Sequence, residues 1–71
     1  MEHENNLAQL IKQKRKKLKL TQVDLAQKAG VGLRFLRELE SGKTTLRMDK
    51  VNQLLNLLGF ELTAARKQLS E

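Results

Sequence analysis

From Asn6 to Leu58 the apolar residues recur at intervals of three and four, the spacing of one face of a helix, and strict alternation does not begin until Phe60. This spacing predicts a first helix over Asn6–Leu18, with Leu7, Leu10, Ile11 and Leu18 on one stripe and Asn5 or Asn6 as its N-cap. A second helix opens after Thr21. Thr21 with Asp24 three positions on reads as a capping box with Asp in place of Glu. Leu25, Ala26 and Ala29 give this helix a narrow apolar face, its alanines small enough for close helix approach, and Gly30 is the expected left-handed stop. A third helix is predicted over Leu33–Ser41, with Phe35, Leu36 and Leu39 on one side, Arg34, Arg37 and Glu38 on the other, and Leu33 at the edge. Gly42 ends it. A fourth, Arg47–Leu58, turns Met48, Val51, Leu54, Leu55 and Leu58 inward and closes on Gly59. Phe60-Glu61-Leu62-Thr63 then alternates apolar and polar, which predicts a short strand. A lone strand has no stability of its own, so its partner would be the same segment of a second copy.

The pattern therefore implies an all-α chain, a compact four- to five-helix domain with a short C-terminal strand pairing across a dimer. Residues 1–5 are expected to be a flexible tail, 6–59 the helical domain, and 60–71 a dimerisation strand and tail.

Seventy-one residues suffice for one domain at most. Such a domain buries about 60% of its unfolded surface, so it folds with little margin. With no cysteine, neither a disulfide nor a thiolate-metal site can add stability, and a dimer interface is the natural supplement. The start, MEHENN, is polar and acidic and is not a signal peptide. The longest apolar stretch, Leu54 to Phe60, is interrupted by Asn56 and Gly59 and is too short to span a bilayer. The expectation is a cytoplasmic, nucleoid-associated protein. Charge changes the picture further. Fourteen Lys and Arg against eight Asp and Glu give a formal net charge of +6, and the pI is about 10.1. Such a balance favours a polyanion, usually nucleic acid, although charge alone fits a domain with spare lysines equally well. The lysines concentrate at the end of the first helix, at positions 12, 14, 16, 17 and 19. Some can graze phosphates; the rest complement the helix dipole or supply long-range attraction.

The eleven residues TQVDLAQKAGV, Thr21 to Val31, followed at once by the third helix, read as a helix-turn-helix. With Arg15, Leu20-Thr21-Gln22, Asp24-Leu25-Ala26, Gly30-Val31, Leu36, Glu40-Ser41-Gly42-Lys43 and Leu58-Gly59, this stretch resembles the phage-repressor-like helix-turn-helix family, the XRE or Cro/repressor class. The resemblance covers roughly Leu10 to Gly59 and implies that the helix over Leu33–Ser41 enters the major groove of duplex DNA. Its base-facing positions are then Leu33, Arg34 and Glu38. Arg34 can fork onto guanine O6 and N7, Glu38 can accept from cytosine N4, and Leu33 can touch a thymine methyl. The other reading of Arg34 and Glu38 is an i,i+4 surface pair, and a pair can also pre-orient Arg34. The resemblance places Thr21, Gln22, Arg37, Lys43, Thr44 and Thr45 along the phosphate backbone, although Thr21 caps its helix in either case and the loop at 43–45 can equally be a solvated one. It makes Arg15 and Glu40 a structural ion pair, at least partly buried. Gly32 departs from the family, which usually places Ser or Thr there as the recognition-helix N-cap.

Within the class, the tail Gly59-Phe60-Glu61-Leu62-Thr63 and the small size are similar to HipB-like antitoxins. That implies a homodimer joined through Leu57, Phe60 and Leu62, a pseudo-palindromic operator, and a HipA-type toxin kinase that the protein neutralises while repressing its own operon. A stand-alone repressor, or a protein-interaction module that kept the fold without using DNA, are the competing functions. An enzyme is not expected. The single histidine, His3, lies in the tail beside Glu2 and Glu4, a poor metal site. There is no Gly-rich phosphate loop, and a cap and an ion pair account for Asp24 and Glu40. No metal and no cofactor are implied. Only Phe35 and Phe60 are aromatic, and both read as core or interface, which leaves no stacking platform for RNA.

Overall fold

A computed structural model describes residues 6–64 and residue 66. The N-terminal tail, with Glu2, His3 and Glu4, the cap candidate Asn5, and most of the C-terminal tail lie outside the described residues. The chain folds as α1 (Asn6–Lys17), α2 (Gln22–Ala29), α3 (Leu33–Glu40) and α4 (Met48–Leu58), with no strand among the described residues. All four helices feed one core. Ile11, Leu25, Leu36, Leu39, Leu54 and Leu55 are essentially inaccessible, and Ala26, Ala29, Val31, Val51 and Leu58 surround them. α3 packs against both α1 and α2, and α2 also packs against α4. The alanines of α2 are what let this short helix sit between its neighbours.

Two expectations are corrected, and the C-terminal strand, expected only against a second copy, does not form in the single chain. Leu10 and Leu18 do not share the buried stripe of α1: they are 37% and 48% exposed. The inward positions are Leu7, Ala8, Ile11 and Arg15, a face centred on Ile11 that leaves Leu10 to the side, while Leu18 lies past the helix end. Met48 does not face inward. It is 68% exposed, because Leu46, in the loop before α4, packs on the core in its place. Phe60–Thr63 forms no strand in the single chain; Phe60 packs against the core with the Lys14 ammonium 5.9 Å from its ring centroid, and Glu61 to Ala64 are exposed.

The helix ends follow one geometry. After α2, Gly30 adopts φ 73°, and the Val31 N–H reaches back to the Ala26 carbonyl at 3.0 Å. After α1 the same six-residue closure, Leu20 N–H to Arg15 carbonyl at 3.1 Å, is made with Lys19 at φ 60°, the one non-glycine residue among those described with positive φ. The α2 end carries a further clasp. Gln53 of α4 donates from Nε2 to the carbonyls of Ala29 (2.8 Å) and Gly30 (3.1 Å), two acceptors the helix itself leaves unpaired. A Cβ on Gly30 would stand 2.9 Å from that nitrogen. Gly30→Ala is therefore expected to cost about 1–2 kcal/mol through left-handed strain alone, and to lower the melting temperature by about 4 °C or more. Thermal circular dichroism checks this, and an unaltered transition would contradict it.

Candidate nucleic-acid interface

Two side-chain clusters organise the face built by the start of α2, the whole of α3 and the loop that follows. The first is nearly buried and joins three helices. Arg15 meets Glu40 as a fork: Nε to Oε2 at 2.7 Å and Nη2 to Oε1 at 3.0 Å. The remaining Arg15 terminal nitrogen, Nη1, donates to the Leu20 carbonyl at 2.9 Å, an acceptor that the Lys19 turn delivers. Gln22 completes the set, donating from Nε2 to Glu40 Oε1 at 3.1 Å. Side-chain exposure is 12% for Arg15 and 3% for Glu40, so the charges are largely out of water. The hydrogen bonds to Glu40 hold the Arg15 guanidinium above its ordinary pKa, against the opposing effect of burial. Among the described residues no buried side-chain polar atom lacks a partner. The consequence is positional: the end of α3 and the start of α2 are tied to α1 through one carboxylate.

At the start of α2 the capping box is reciprocal. The Asp24 N–H donates to Thr21 Oγ1 and the Thr21 N–H to Asp24 Oδ2, both at 3.0 Å. The bond from the Thr21 N–H is the main reason the Asp24 carboxyl lies below the usual carboxylate range. Thr21 Oγ1 is used as an acceptor here, which leaves its hydrogen to offer outward. The N–H groups of Gln22 and Val23 lie in the first turn, where no intrahelical acceptor exists. An anion approaching this end meets those donors and also the Asp24 carboxylate; Lys16, Lys17 and Lys19, just before it in the chain, are exposed. Lys14 belongs elsewhere, since it sits over Phe60.

The second cluster is on the surface of α3. Glu38 lies between two cations, one on each carboxylate oxygen: Arg34 Nε at 3.5 Å from Oε2 and Lys43 Nζ at 3.3 Å from Oε1. The Arg34 side chain is 93% exposed, that of Glu38 33%. Arg37, Thr44 and Thr45 are exposed nearby in sequence, and Leu33 is half-buried and packs against the core, so only part of it faces outward. Gly32 caps α3 in an extended conformation without a side-chain hydrogen bond, and a Cβ there would meet open space. The structure thus gathers Arg15, Thr21, Gln22 and Glu40 around the α2 start, and Arg34, Glu38 and Lys43 on α3 and its loop. Of the dimer candidates, Leu57 and Leu62 are about half exposed and Phe60 half-buried. Leu62 and Met48 line a shallow apolar hollow of about 150 Å³ with Leu7, Thr44, Leu46 and Val51.

Sequence reasoning did not find Gln53, the Leu20 carbonyl, or the Arg47–Asp49 fork at the α4 start (2.7 and 3.2 Å), which holds the Asp49 carboxyl below the usual carboxylate range. A glutamine at an outward-reading position gives no periodic signal. Among the described residues there is no group of three potential metal ligands, and no helix is long and apolar enough to cross a membrane.

Residues 11–64 match the helix-turn-helix family model. Over 57 residues the chain is 46% identical to y4mF of Sinorhizobium fredii, an uncharacterized HTH-type transcriptional regulator, covering 80% of this chain and 75% of that protein. A match over most of the chain, spanning the residues of both clusters above, settles the family: this chain belongs to the XRE-type helix-turn-helix proteins.

Proposed function

We propose that the protein is a sequence-specific DNA-binding transcriptional repressor that acts as a homodimer on a pseudo-palindromic operator. The observation that carries the reading is the outer face of α3. An almost fully exposed Arg34 and a partly exposed Glu38 stand on a helix whose far end is fixed to α1 and α2 by the Arg15–Glu40–Gln22 cluster. A rigid helix with a guanidinium and a carboxylate one turn apart can read guanine and cytosine in a major groove. Leu33 adds apolar contact, while Thr21, Gln22, Arg37, Lys43, Thr44 and Thr45 hold the phosphates. Two such helices about 34–36 Å apart would contact half-sites one turn of DNA apart.

The test is selection of bound duplexes from a random pool, followed by titration of the selected site across salt concentrations. A log–log slope near −0.9 for each phosphate contacted is expected. A flat response without sequence preference would instead identify a protein-interaction module. Light scattering after size exclusion tests the dimer, and a monomer at micromolar concentration with and without DNA refutes it.

The finer reading is a HipB-like antitoxin that neutralises a HipA-type kinase and autoregulates its operon. The half-exposed Leu57 and Leu62 and the apolar hollow beside Met48 support a surface that needs protein cover. A kinase-like reading frame next to this gene, and loss of its toxicity on co-expression, would support the antitoxin; a solitary gene would favour the stand-alone regulator.

A further inference from the structure

We infer that Glu38 acts as an electrostatic filter against the wrong DNA, in addition to any base it reads. The inference rests on the reading of α3 as the groove-entering helix. The geometry behind it is the division of one carboxylate between two cations from different segments: Oε2 faces Arg34 one turn earlier on α3, and Oε1 faces Lys43 in the loop beyond the helix end. No other acidic side chain among the described residues forms ion pairs with two cations. Asp49 pairs only with Arg47, and Glu40 only with Arg15. Both cations held by Glu38 are in the set proposed to touch DNA, one at a base and one at a phosphate.

In the free protein both cations stand against Glu38, Lys43 with a hydrogen bond and Arg34 at ion-pair distance with its side chain almost fully exposed. A duplex of arbitrary sequence offers them phosphates and base acceptors. Taking up those contacts withdraws both from Glu38 and leaves a carboxylate, two-thirds shielded from water, facing a polyanion. In such a complex no cation is left beside it, and only water donates to it. A duplex with an amino group at the matching position, such as cytosine N4, replaces the lost partners with a new donor. The penalty of stranding a polar group on the wrong partner exceeds the gain on the right one, and this asymmetry is the source of discrimination. Glu38 thus lowers affinity for all DNA and returns the loss only on the correct sequence.

The experiment uses the full chain, wild type and Glu38→Gln, against a fluorescein-labelled random-sequence duplex in anisotropy titrations over a range of salt. Glutamine keeps the length and helix preference of the side chain and removes the charge; circular dichroism confirms the fold. Breaking two exposed ion pairs of ordinary strength predicts that E38Q binds the random duplex about three- to tenfold more tightly. Release of Lys43 to a phosphate predicts a log–log salt slope steeper by up to about 0.9. The same substitution in an Arg34→Ala/Lys43→Ala background separates this from a general loss of negative charge, because there the gain should largely vanish. An equal gain in both backgrounds, or no gain in the native background, overturns the filter while leaving DNA binding intact. Failure of the wild type to bind any duplex at low salt overturns the DNA-binding reading, and the filter with it.

Discussion

Replacing Arg15 by alanine is expected to destabilise the fold by about 3–5 kcal/mol, the usual effect of removing one partner of a buried ion pair. In a domain of this size that corresponds to a fall in melting temperature of roughly 12 °C or more. The loss arises on the other side of the contact: Glu40, only 3% exposed, would retain Gln22 but no positive charge. The Leu20 carbonyl would also lose its donor. Arg15→Lys should recover only part of this, since an ammonium cannot make the forked contact and reach Leu20 as well. Removing both charges together, as Arg15→Met with Glu40→Leu, should restore much of the stability, because nothing charged is then left uncompensated. DNA affinity of the single variant should fall as well, since the α2–α3 geometry relaxes. An unchanged melting temperature for Arg15→Ala would remove this cluster from the account of the fold.

Arg34→Ala should behave in the opposite way. Its side chain is 93% exposed and its contact with Glu38 is an exposed i,i+4 pair, so stability should change by no more than about 0.5 kcal/mol. Affinity for the selected operator should fall by about 1–3 kcal/mol, a factor of about five to 150, the range for losing a bidentate guanine contact. Discrimination at one base pair of each half-site should relax at the same time. Anisotropy titrations with the selected site and single-base variants measure both effects. Undiminished affinity for the site would mean that Arg34 does not read a base. The two substitutions separate the two jobs proposed for this small surface: Arg15 holds α3 in place, and Arg34 is expected to read the base.

The helices were legible because their signals are local. The Thr21–Asp24 box and the glycines at 30, 42 and 59 mark ends within a few residues of where the chain turns. The first helix lacks such a mark at its end. Lys19 takes the left-handed position that glycine usually holds, so the sequence extends α1 by one residue. Leu10 and Met48 read as inward in the sequence for a different reason. Periodicity ranks apolar residues by spacing alone, whereas the inward positions went to Arg15, whose charge is matched from 25 residues away, and to Leu46, which lies outside any helix. The acid–base pairs of the interface were readable as residue types at family positions. Their sharing was not: that Glu38 faces both Arg34 and Lys43 depends on the path of the loop after α3.

The clasp from Gln53 has a bearing on protein engineering. The helix-turn-helix is often treated as a portable cassette, and residues 21–42 look like one. Here the bend between its two helices is fastened from outside, by a side chain on α4 that binds the Ala29 and Gly30 carbonyls. A transplanted cassette would leave those acceptors to water and free the bend angle between α2 and α3. The smallest transferable unit in this protein therefore extends well into its last helix.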